Sequence, residues 1–287
     1  MFKLFKKEKK VFNVNDCFID ETFKKSYLFA ENVKQGTLTA NVGNYEKPVL
    51  LDIEKSPHVL IAGQTGSGKS VCINNILCSV IAKNTPDNLN LFIIDPKKVD
   101  YILYSDLPHV KEYVTSDSDI LSLLERLHHE MNRRYEIMQS DKVDNIRDCQ
   151  KKIPQIIILF DEYGSIQKGK TKNRIVEYVE MIAKLGRACG MHLIIGIQSP
   201  TTSNKEITST LKNNIPCRIA FSVTNKQASK CIIDDTRYDS SKINVPGMGY
   251  IQQPMHETKA FKGCYISKEQ KQAIINKWIE LCPQNKR

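Results

Sequence analysis

The sequence predicts an α/β fold with a mainly parallel sheet and helices on both faces. Two observations lead to this class. Short aliphatic runs rich in Val and Ile alternate with longer segments whose apolar residues recur at helical spacing. Several of the short runs are apolar at almost every position, which is typical of strands buried on both faces of a parallel sheet. Sheets of this kind bind ligands at the carboxyl ends of their strands.

Five strands are predicted from the aliphatic runs, each of which ends in a turn residue or a polar side chain. In chain order they are HVLIAG (58–63), LNLFIIDP (89–96), QIIILFDE (155–162), MHLIIGIQ (191–198) and PCRIAFSV (216–223). The mixed polar and aromatic stretch 11–40 has no clear period and predicts short strands only. The regular alternation of strand and helix therefore begins near residue 48.

Four helices are predicted between and after these strands. Apolar residues at helical spacing mark the segments 71–81, 120–138 and 175–185. The second of these opens behind the Asp- and Ser-rich stretch 116–119, which can cap it. A last helix begins at Ser267, because Gln270 lies three residues later in the capping-box position. Trp278 on this helix is interpreted as a core or docking residue.

Length, composition and cysteine usage indicate a cytoplasmic globular protein. The chain has 287 residues, of which 41% are hydrophobic and 26% are charged, as in ordinary soluble proteins of one or two domains. No apolar run is long enough to span a bilayer, and we expect no secretory signal. Nine cysteines occur with no CxxC pair, which favours a reducing compartment over a disulfide framework or a zinc site.

The net charge of +10 is concentrated in two segments. Residues 163–230 contain eleven Lys or Arg against three Asp or Glu, a balance of +8. The first ten residues, MFKLFKKEKK, contain five Lys and one Glu, a balance of +4. A basic field confined to part of a chain indicates a polyanionic partner, with nucleic acid first and a membrane surface second. Any single lysine cluster can also be a solvated face.

The segment from Gly63 to Ser70 matches the phosphate-binding pattern G-x4-G-K-[ST]. An aliphatic strand precedes it and an amphipathic helix follows it, which is the context that this pattern requires. Its backbone N–H groups and the helix N-terminus can surround phosphates, and Lys69 can reach the β- and γ-phosphates. The predicted nucleotide-binding residues are Gly63, Gln64, Thr65, Gly66, Ser67, Gly68, Lys69, Ser70 and Val71.

Two further strand ends supply candidate catalytic side chains. Asp161 and Glu162 close an aliphatic strand about ninety residues after the phosphate-binding loop. With Ser70, Asp161 can hold Mg²⁺, and Glu162 can polarise the attacking water. Gln198 ends another strand and can sense the γ-phosphate, although it can also be a simple polar strand end. Because no guanine-reading motif is found, the sequence favours hydrolysis of ATP with Mg²⁺.

The order of these motifs resembles the motor domain of the FtsK/SpoIIIE family of DNA translocases. The resemblance extends from about residue 43 to about residue 282. Its segments are GNYEKPVLLDIEKSPHVLIAGQTGSGKSVCINNIL, LFIIDPKKVD, LPHVKEYVT, EMNRRYEIM, ILFDEYGSI, IAKLGRACGMHLIIGIQSP, NNIPCRIAFSV and GMGYIQQ. It implies a RecA-like ATPase that assembles as a ring, usually a hexamer, and pumps double-stranded DNA through the central channel.

The resemblance also implies roles for residues that the local pattern leaves open. Arg187 matches the position of an arginine finger that reaches the γ-phosphate bound by a neighbouring subunit; without the family it would be interpreted as a surface arginine at a helix end. The loops after two strands would face the channel and bind phosphates independently of sequence. The resulting DNA-contact candidates are Lys168, Lys170, Lys172, Arg174 and Lys205.

We expect two parts in the chain: a basic N-terminal arm with a small accessory segment at 1–42, and a RecA-type motor at 43–287. Neither membrane segments nor a winged-helix module is expected. GMGY at 247–250 departs from the family's common GMGD, so a contact made by that aspartate is in doubt.

By analogy, a compact motor of this type serves a mobile element such as a plasmid, with a relaxase or transfer-channel proteins as partners. The N-terminal arm can touch a membrane surface or DNA, and it can equally be a disordered solvated tail.

Two alternative functions remain at this level. Related motors drive protein secretion, but those usually have several ATPase domains and membrane segments. An ATP-gated coupling or structural module would bind nucleotide without translocating anything. The complete set of catalytic side chains and the basic loops favour the DNA motor over both.

Overall fold

The computed structural model describes residues 36–45, 47–167, 169–198 and 207–282. Ten strands and six α-helices of this part of the chain are labelled in chain order. The strands are β1 Thr39–Tyr45, β2 Lys47–Asp52, β3 Val59–Ala62, β4 Leu89–Ile94, β5 Val110–Val114, β6 Gln155–Phe160, β7 Met191–Ile197, β8 Cys217–Ala220, β9 Met248–Gln252 and β10 Lys259–Gly263. The helices are α1 Lys69–Lys83, α2 Asp117–Asp141, α3 Lys170–Leu185, α4 Ser209–Asn214, α5 Lys226–Ile232 and α6 Lys268–Leu281.

All ten strands form one sheet in the order β2-β1-β10-β9-β8-β3-β7-β6-β4-β5. The six strands from β8 to β5 are parallel. The four strands from β2 to β9 extend the sheet in antiparallel fashion. Because β3, β7 and β6 are adjacent, the loops that follow their carboxyl ends meet at one edge of the sheet. The predicted α/β fold with a mainly parallel sheet is confirmed.

Helices cover both faces of the sheet, because alternate residues of each strand point to opposite sides. One core contains Val59 and Ile61 of β3 together with buried residues of α1 and α6. The other contains Leu60 and Ala62 of the same strand together with α2, α3, α4 and α5. β6 is buried at all six positions and β7 at all seven. This explains why their sequences are apolar without a period.

The five predicted strands and four predicted helices are all present. α2 begins behind Ser116, whose side chain accepts a hydrogen bond from the N–H of Asp119. α6 has the predicted capping box between Ser267 and Gln270. Trp278 is 4% exposed, and its ring packs edge-on against His109 at 4.7 Å between centroids. The expected interpretation of these local patterns is therefore confirmed.

Strands β2, β5, β9 and β10 were not predicted, because their burial alternates or is irregular and their sequences are polar in part. β1 begins at the end of the stretch 11–40, for which short strands were expected without bounds. The division expected between residues 42 and 43 falls inside β1. On its amino-terminal side, Leu38, Ala40 and Val42 are fully buried in the core that contains α1. Residues 36–42 thus pack with the motor fold, while the remainder of the predicted arm, 1–35, lies outside the described residues.

Two composition-based expectations can be compared with the described part of the chain. Its eight cysteines are all free thiols, and six of them are buried. None of its helices combines the length and the apolar character that crossing a bilayer demands. Burial raises the pKa of several of these thiols, for example that of Cys189 to about 11, as expected for small side chains in an apolar core.

We expect three buried histidines to make the fold sensitive to acid. Burial lowers the pKa of His58 and His109 to about 4 and that of His192 to about 3, because a charged imidazolium would lose its hydration. In the unfolded chain a histidine has a pKa of about 6.5. Below that pH the unfolded state binds protons that the folded state does not, so the free energy of unfolding should fall between about pH 6.5 and pH 4.

Urea unfolding across this pH range measures the effect. His109→Gln removes one of the three groups while keeping an N–H that can reach the Asn84 carbonyl, which His109 Nε2 contacts at 2.7 Å. This variant should show a shallower pH dependence than the unmodified protein. His129→Gln alters an exposed residue and should leave the slope unchanged. Identical slopes in all three proteins would contradict the assignment.

Candidate active site

The loop between β3 and α1 has the shape of a phosphate cradle. Gly68 adopts a φ of +115°, and a Cβ at this position would lie 3.1 Å from the Cα of Gly247, so only glycine fits without strain. The N–H of Gly247 donates to the Ser67 carbonyl at 2.8 Å and thereby supports the loop from outside. Gln64 is held at the other end through Ser222. The loop is thus fixed by neighbouring strand ends.

Lys69 meets both predicted carboxylates at the end of β6. Its side chain is 6% exposed, and Nζ donates to Asp161 Oδ1 and, at 3.1 Å, to Glu162 Oε1. The residues are more than ninety positions apart in sequence, and the adjacency of β3, β7 and β6 brings them together. Glu162 has a φ of +52°, an uncommon value for a side chain other than glycine. Local backbone strain of this kind clusters at functional sites.

The two carboxylates have opposite pKa shifts. Burial raises the pKa of Asp161, although the neighbouring Lys69 opposes this shift. Burial also acts to raise the pKa of Glu162, but hydrogen bonds from Lys97 and Lys69 outweigh it and lower the pKa. Both effects follow from the same cluster of charges in a mostly buried position. Glu162 is therefore held as a carboxylate anion.

Gln198 lies beside the phosphate-binding loop, as its position at the end of β7 suggested. Its Nε2 donates to Thr65 Oγ1 of the loop. Its Oε1 accepts a hydrogen bond from Lys97 Nζ at 3.1 Å. The same ammonium group forms an ion pair with Glu162 Oε1 at 2.9 Å. Lys97 was not predicted from the sequence, because it lies in the turn after the predicted strand 89–96 and no role was assigned to that turn.

Ser70 contacts Asp100, which is the second residue, after Lys97, that the sequence analysis did not predict for this site. Its hydroxyl donates to Asp100 Oδ2 at 2.9 Å. Behind it lies the fully buried Tyr101, whose hydroxyl has its pKa raised by burial and by Asp161 and Asp100. The predicted metal ligands Ser70 and Asp161 thus lie in one acidic region next to Lys69. Hydroxyl, carboxylate and phosphate oxygens are the donors that Mg²⁺ prefers.

An open cleft of about 500 Å³ is lined by Lys69, Ser70, Lys97, Asp100, Glu162 and Gln198, among others. Val71 and the glycine loop also line the cleft, as does Tyr265, which has 69% of its surface exposed. Ser67 Oγ is buried and has no hydrogen-bond partner among the described residues. A glycine cradle and a buried lysine are the features that a triphosphate would complete. The residues present therefore fit a nucleotide with Mg²⁺.

Comparison with known proteins identifies the family. Residues 24–164 match the family model described as the FtsK/SpoIIIE family. The chain is 35% identical over 239 residues to the DNA translocase FtsK of Clostridium tetani (strain Massachusetts / E88), a match that covers 79% of this chain. The chain belongs to the FtsK/SpoIIIE family. It spans only 31% of the length of that relative.

Solved structures agree with the fold. The pCW3 conjugation coupling protein TcpA, in a monomer form with ATPgS, superposes with a TM-score of 0.75 and 27% sequence identity. This match covers 87% of the chain and 71% of TcpA. The cytoplasmic domain of the Thermomonospora curvata type VII secretion ATPase EccC gives a TM-score of 0.73 at 24% identity, covering 85% of this chain and 31% of EccC. The α/β RecA-like fold expected of an FtsK/SpoIIIE motor is therefore confirmed.

Arg187, the finger candidate suggested by the FtsK/SpoIIIE resemblance, lies at the opposite edge of the sheet from Lys69. It is exposed and precedes the first residue of β7, whereas Gln198 follows the last. Seven strand residues at about 3.3 Å each separate the two positions by roughly 20 Å. Within the described residues Arg187 forms no ion pair. It cannot reach the phosphate site of its own subunit, and its role toward a neighbouring subunit stays a prediction.

The DNA-contact candidates of the FtsK/SpoIIIE motor can be located in part. Lys170 and Lys172 lie in the first turn of α3, which has no acidic residue in that turn and no side-chain cap from Gly169. Arg174 forms an ion pair with Glu125 of α2, so part of its charge is already balanced. Lys168 and Lys205 lie outside the described residues. DNA contact by these five residues stays a prediction.

Tyr250, where family motors commonly have aspartate, lies in β9 opposite Ala220 of β8. Its ring packs edge-on against Tyr238 at 5.0 Å between centroids, and the guanidinium of Arg237 lies 5.8 Å from the Tyr238 ring. The residue is half-buried. The departure from the family pattern is therefore accommodated by aromatic packing, with no carboxylate at this point.

Gly196 of β7 leaves room for the Asp161 side chain. A Cβ added at Gly196 would lie 1.9 Å from Asp161 Oδ1, so in Gly196→Ala the carboxylate must move. Since Asp161 is a predicted Mg²⁺ ligand, we expect this variant to lose at least about tenfold in the Mg²⁺-dependent affinity for a non-hydrolysable ATP analogue. Titration of a fluorescent analogue with and without Mg²⁺ measures this. Unchanged affinity in the folded variant would argue against the role of Asp161.

Proposed function

We propose that this chain is an ATP-driven DNA translocase that acts as a ring-shaped homo-oligomer, a hexamer, and pumps double-stranded DNA through its channel. The observation that carries the proposal is the meeting of Lys69, Glu162 and Gln198 in one cleft, with Asp161 bound to Lys69. Membership of the FtsK/SpoIIIE family and the DNA translocase named among the relatives support DNA as substrate. DNA stimulation, the ring and its stoichiometry are part of the proposal.

The residues of the cleft divide the work of hydrolysis. Bound ATP with Mg²⁺ would supply the phosphoanhydride bond whose cleavage drives the motor. Lys69 would exchange the carboxylates for the β- and γ-phosphate oxygens, and Ser70 and Asp161 would hold the metal. Glu162 would accept a proton from the attacking water, and Gln198 would donate its amide N–H to the γ-phosphate.

Arg187 would complete the site of the adjacent subunit. Its position roughly 20 Å from Gln198, across the length of β7, supports a role toward a neighbouring subunit. A guanidinium that arrives from the next subunit stabilises transition-state charge and couples hydrolysis around a ring. In mixtures, Arg187→Ala subunits should regain hydrolysis when combined with Lys69→Ala subunits, because each supplies what the other lacks.

The basic start of α3 is the part of the described chain best placed for DNA. Lys170 and Lys172 stand beside uncapped N–H groups, and both kinds of donor attract phosphate oxygens. The start of α3 follows the carboxyl end of β6, at the same edge as the nucleotide cleft. Hydrolysis and DNA contact would therefore be linked through one loop. Binding through phosphates would be independent of sequence and weakened by salt, as a motor that steps along any sequence requires.

A role in transfer or mobilisation of a plasmid or other mobile element is the biological setting that we propose. It is supported by the similarity to the conjugation coupling protein TcpA. Relaxase or transfer-channel proteins would be the partners of such a motor. Contact of the N-terminal arm with a membrane surface, in an otherwise cytoplasmic protein, belongs to the same proposal.

Steady-state ATP hydrolysis with and without long double-stranded DNA tests the proposed function. We expect strong stimulation that weakens as salt rises from 50 to 200 mM, by analogy with phosphate-mediated binding. Lys170→Ala/Lys172→Ala should lose part of the stimulation, whereas Lys142→Ala/Lys151→Ala, on the exposed loop after α2, should not. Hydrolysis that is indifferent to nucleic acid would contradict the DNA motor and favour protein export. Absence of hydrolysis would favour a coupling module.

A further inference from the structure

Lys97 contacts two side chains of the cleft at once. Its Nζ lies 2.9 Å from Glu162 Oε1 and 3.1 Å from Gln198 Oε1. These atoms belong to the carboxylate and the amide that the proposed function assigns to the water and to the γ-phosphate. A single ammonium group thus joins the ends of β6 and β7. Among the described residues Lys97 is the cation shared by both side chains.

The turn that carries Lys97 is held in place by a buried carboxylate. Asp95 is 1% exposed, and its Oδ2 accepts a hydrogen bond from the Tyr113 hydroxyl at 2.7 Å. Its Oδ1 and its carbonyl both accept from the N–H of Lys98, at 3.2 and 3.1 Å. Lys98 itself adopts a φ of +60°. The turn is therefore closed on itself and pinned to β5, which fixes the point from which Lys97 extends.

The position of this turn explains the direction of Lys97. It leaves the carboxyl end of β4, which pairs with β6 in parallel register up to Ile94 and Phe160. Lys97 and Glu162 thus follow the ends of adjacent strands. The contact between them results from sheet order and a fixed turn, in the manner of a side chain supported by its surroundings.

Phosphate binding would displace Lys69 from Glu162, whereas it need not displace Lys97. Lys69 belongs to the phosphate-binding loop and is bound to both carboxylates, so phosphate binding would remove it from Glu162. Lys97 comes from another element, and its side chain is 46% exposed at the cleft. It can keep its contacts with Glu162 and Gln198 while Lys69 moves.

We propose that Lys97 is a positioning residue that holds Glu162 and Gln198 in a fixed mutual orientation after Lys69 has left for the phosphates. The inference rests on the proposed function, because it assigns Lys97 a part in the same hydrolysis. A water-activating carboxylate with no other support would be free to rotate, and misplacement of about 1 Å at a reacting centre slows catalysis by roughly 100-fold. Lys97 acts through Glu162 and need not touch the nucleotide.

Zero-length cross-linking with a water-soluble carbodiimide tests the contact without measuring activity. In protein free of nucleotide, mass spectrometry of the digest should show Lys69 linked to Asp161 or Glu162, and Lys97 linked to Glu162. With ATPγS and Mg²⁺ present, the Lys69 links should disappear and the Lys97–Glu162 link should remain. Loss of both, or failure to find the Lys97 link where the Lys69 links are found, would overturn the proposal.

Kinetics of three variants separate positioning from binding. Lys97→Gln should lower kcat by roughly 10- to 100-fold while the Kd for ATPγS stays within about twofold, and Lys97→Arg should restore part of kcat. Lys98→Gln is the matched control, since it removes the same charge from the same turn. A weakened Kd would make Lys97 a phosphate ligand instead, and unchanged or increased kcat would also overturn the proposal. If the unmodified protein hydrolyses no ATP, the proposed function fails, whereas the cross-linking pattern still decides the contact.

Discussion

Glu162→Gln should bind ATP about as tightly as the unmodified protein and hydrolyse it at least about 100-fold more slowly. The amide has the shape of the carboxylate and can still accept a hydrogen bond from Lys69 or Lys97, which contact Oε1 at 3.1 and 2.9 Å. It cannot take a proton from water at neutral pH. The loss should therefore appear in kcat and leave Kd almost untouched.

Single-turnover hydrolysis together with binding of a fluorescent ATP analogue measures the two quantities separately. Lys69→Ala is the contrasting variant, because it removes the ammonium group from the phosphate-binding loop and should abolish tight binding itself. If Glu162→Gln retained hydrolysis within a few fold of the unmodified protein, Glu162 would not be the base. If it lost binding as well, the carboxylate would serve mainly to hold the loop.

Arg134→Ala should destabilise the fold by about 3–5 kcal/mol, the usual consequence of removing one partner from a buried charged network. Arg134 is 1% exposed. Its guanidinium donates to the carbonyls of Cys189 and Pro154, both at 2.8 Å, and to Glu130 Oε1 at 2.8 Å. Truncation would leave the buried Cys189 carbonyl without this donor and would remove the part-buried bonds to Pro154 and Glu130.

Arg133→Ala is the matched control for this prediction. Arg133 is the preceding residue of α2 and also pairs with Glu130, at 2.7 Å, but more than half of its side chain is exposed. Exposed pairs contribute about 0–1 kcal/mol, so urea unfolding should show a small change for Arg133→Ala and a large one for Arg134→Ala. Equal losses would contradict the importance of the buried carbonyl contacts. Because Cys189 follows Arg187 by two residues, the same contacts also fix the turn that presents Arg187.

The parts of the fold that the sequence predicted are those with local patterns. The strand before Gly63, the helix after Ser70 and the capping box at Ser267 depend on neighbours in the chain, and all three are present. β9 and β10 were missed because a run such as MGYIQ or KAFKG has no unbroken apolar stretch. Their burial depends on partners far away in the chain.

In the candidate site, too, residues in local motifs could be predicted, whereas residues placed by distant partners could not. Lys69, Asp161 and Glu162 could be proposed from strand ends and spacing, and they meet as adjacent strands require. Lys97 could not, because a lysine in a polar turn resembles a solvated side chain until the order of β4, β6 and β7 is known. For Arg134 the sequence predicts the wrong environment, because a charged residue in a helical pattern is normally assigned to the exposed face. Its burial is explained only by the carbonyls of distant turns that accept its hydrogen bonds.

Displacement of a triplex-forming strand from long double-stranded DNA tests the central claim, translocation, most directly. The protein should release the third strand with ATP and Mg²⁺, more slowly as the triplex is moved farther from the DNA end. Glu162→Gln and ATPγS should both prevent release while DNA stays bound. DNA-stimulated hydrolysis without any displacement would contradict the translocase account.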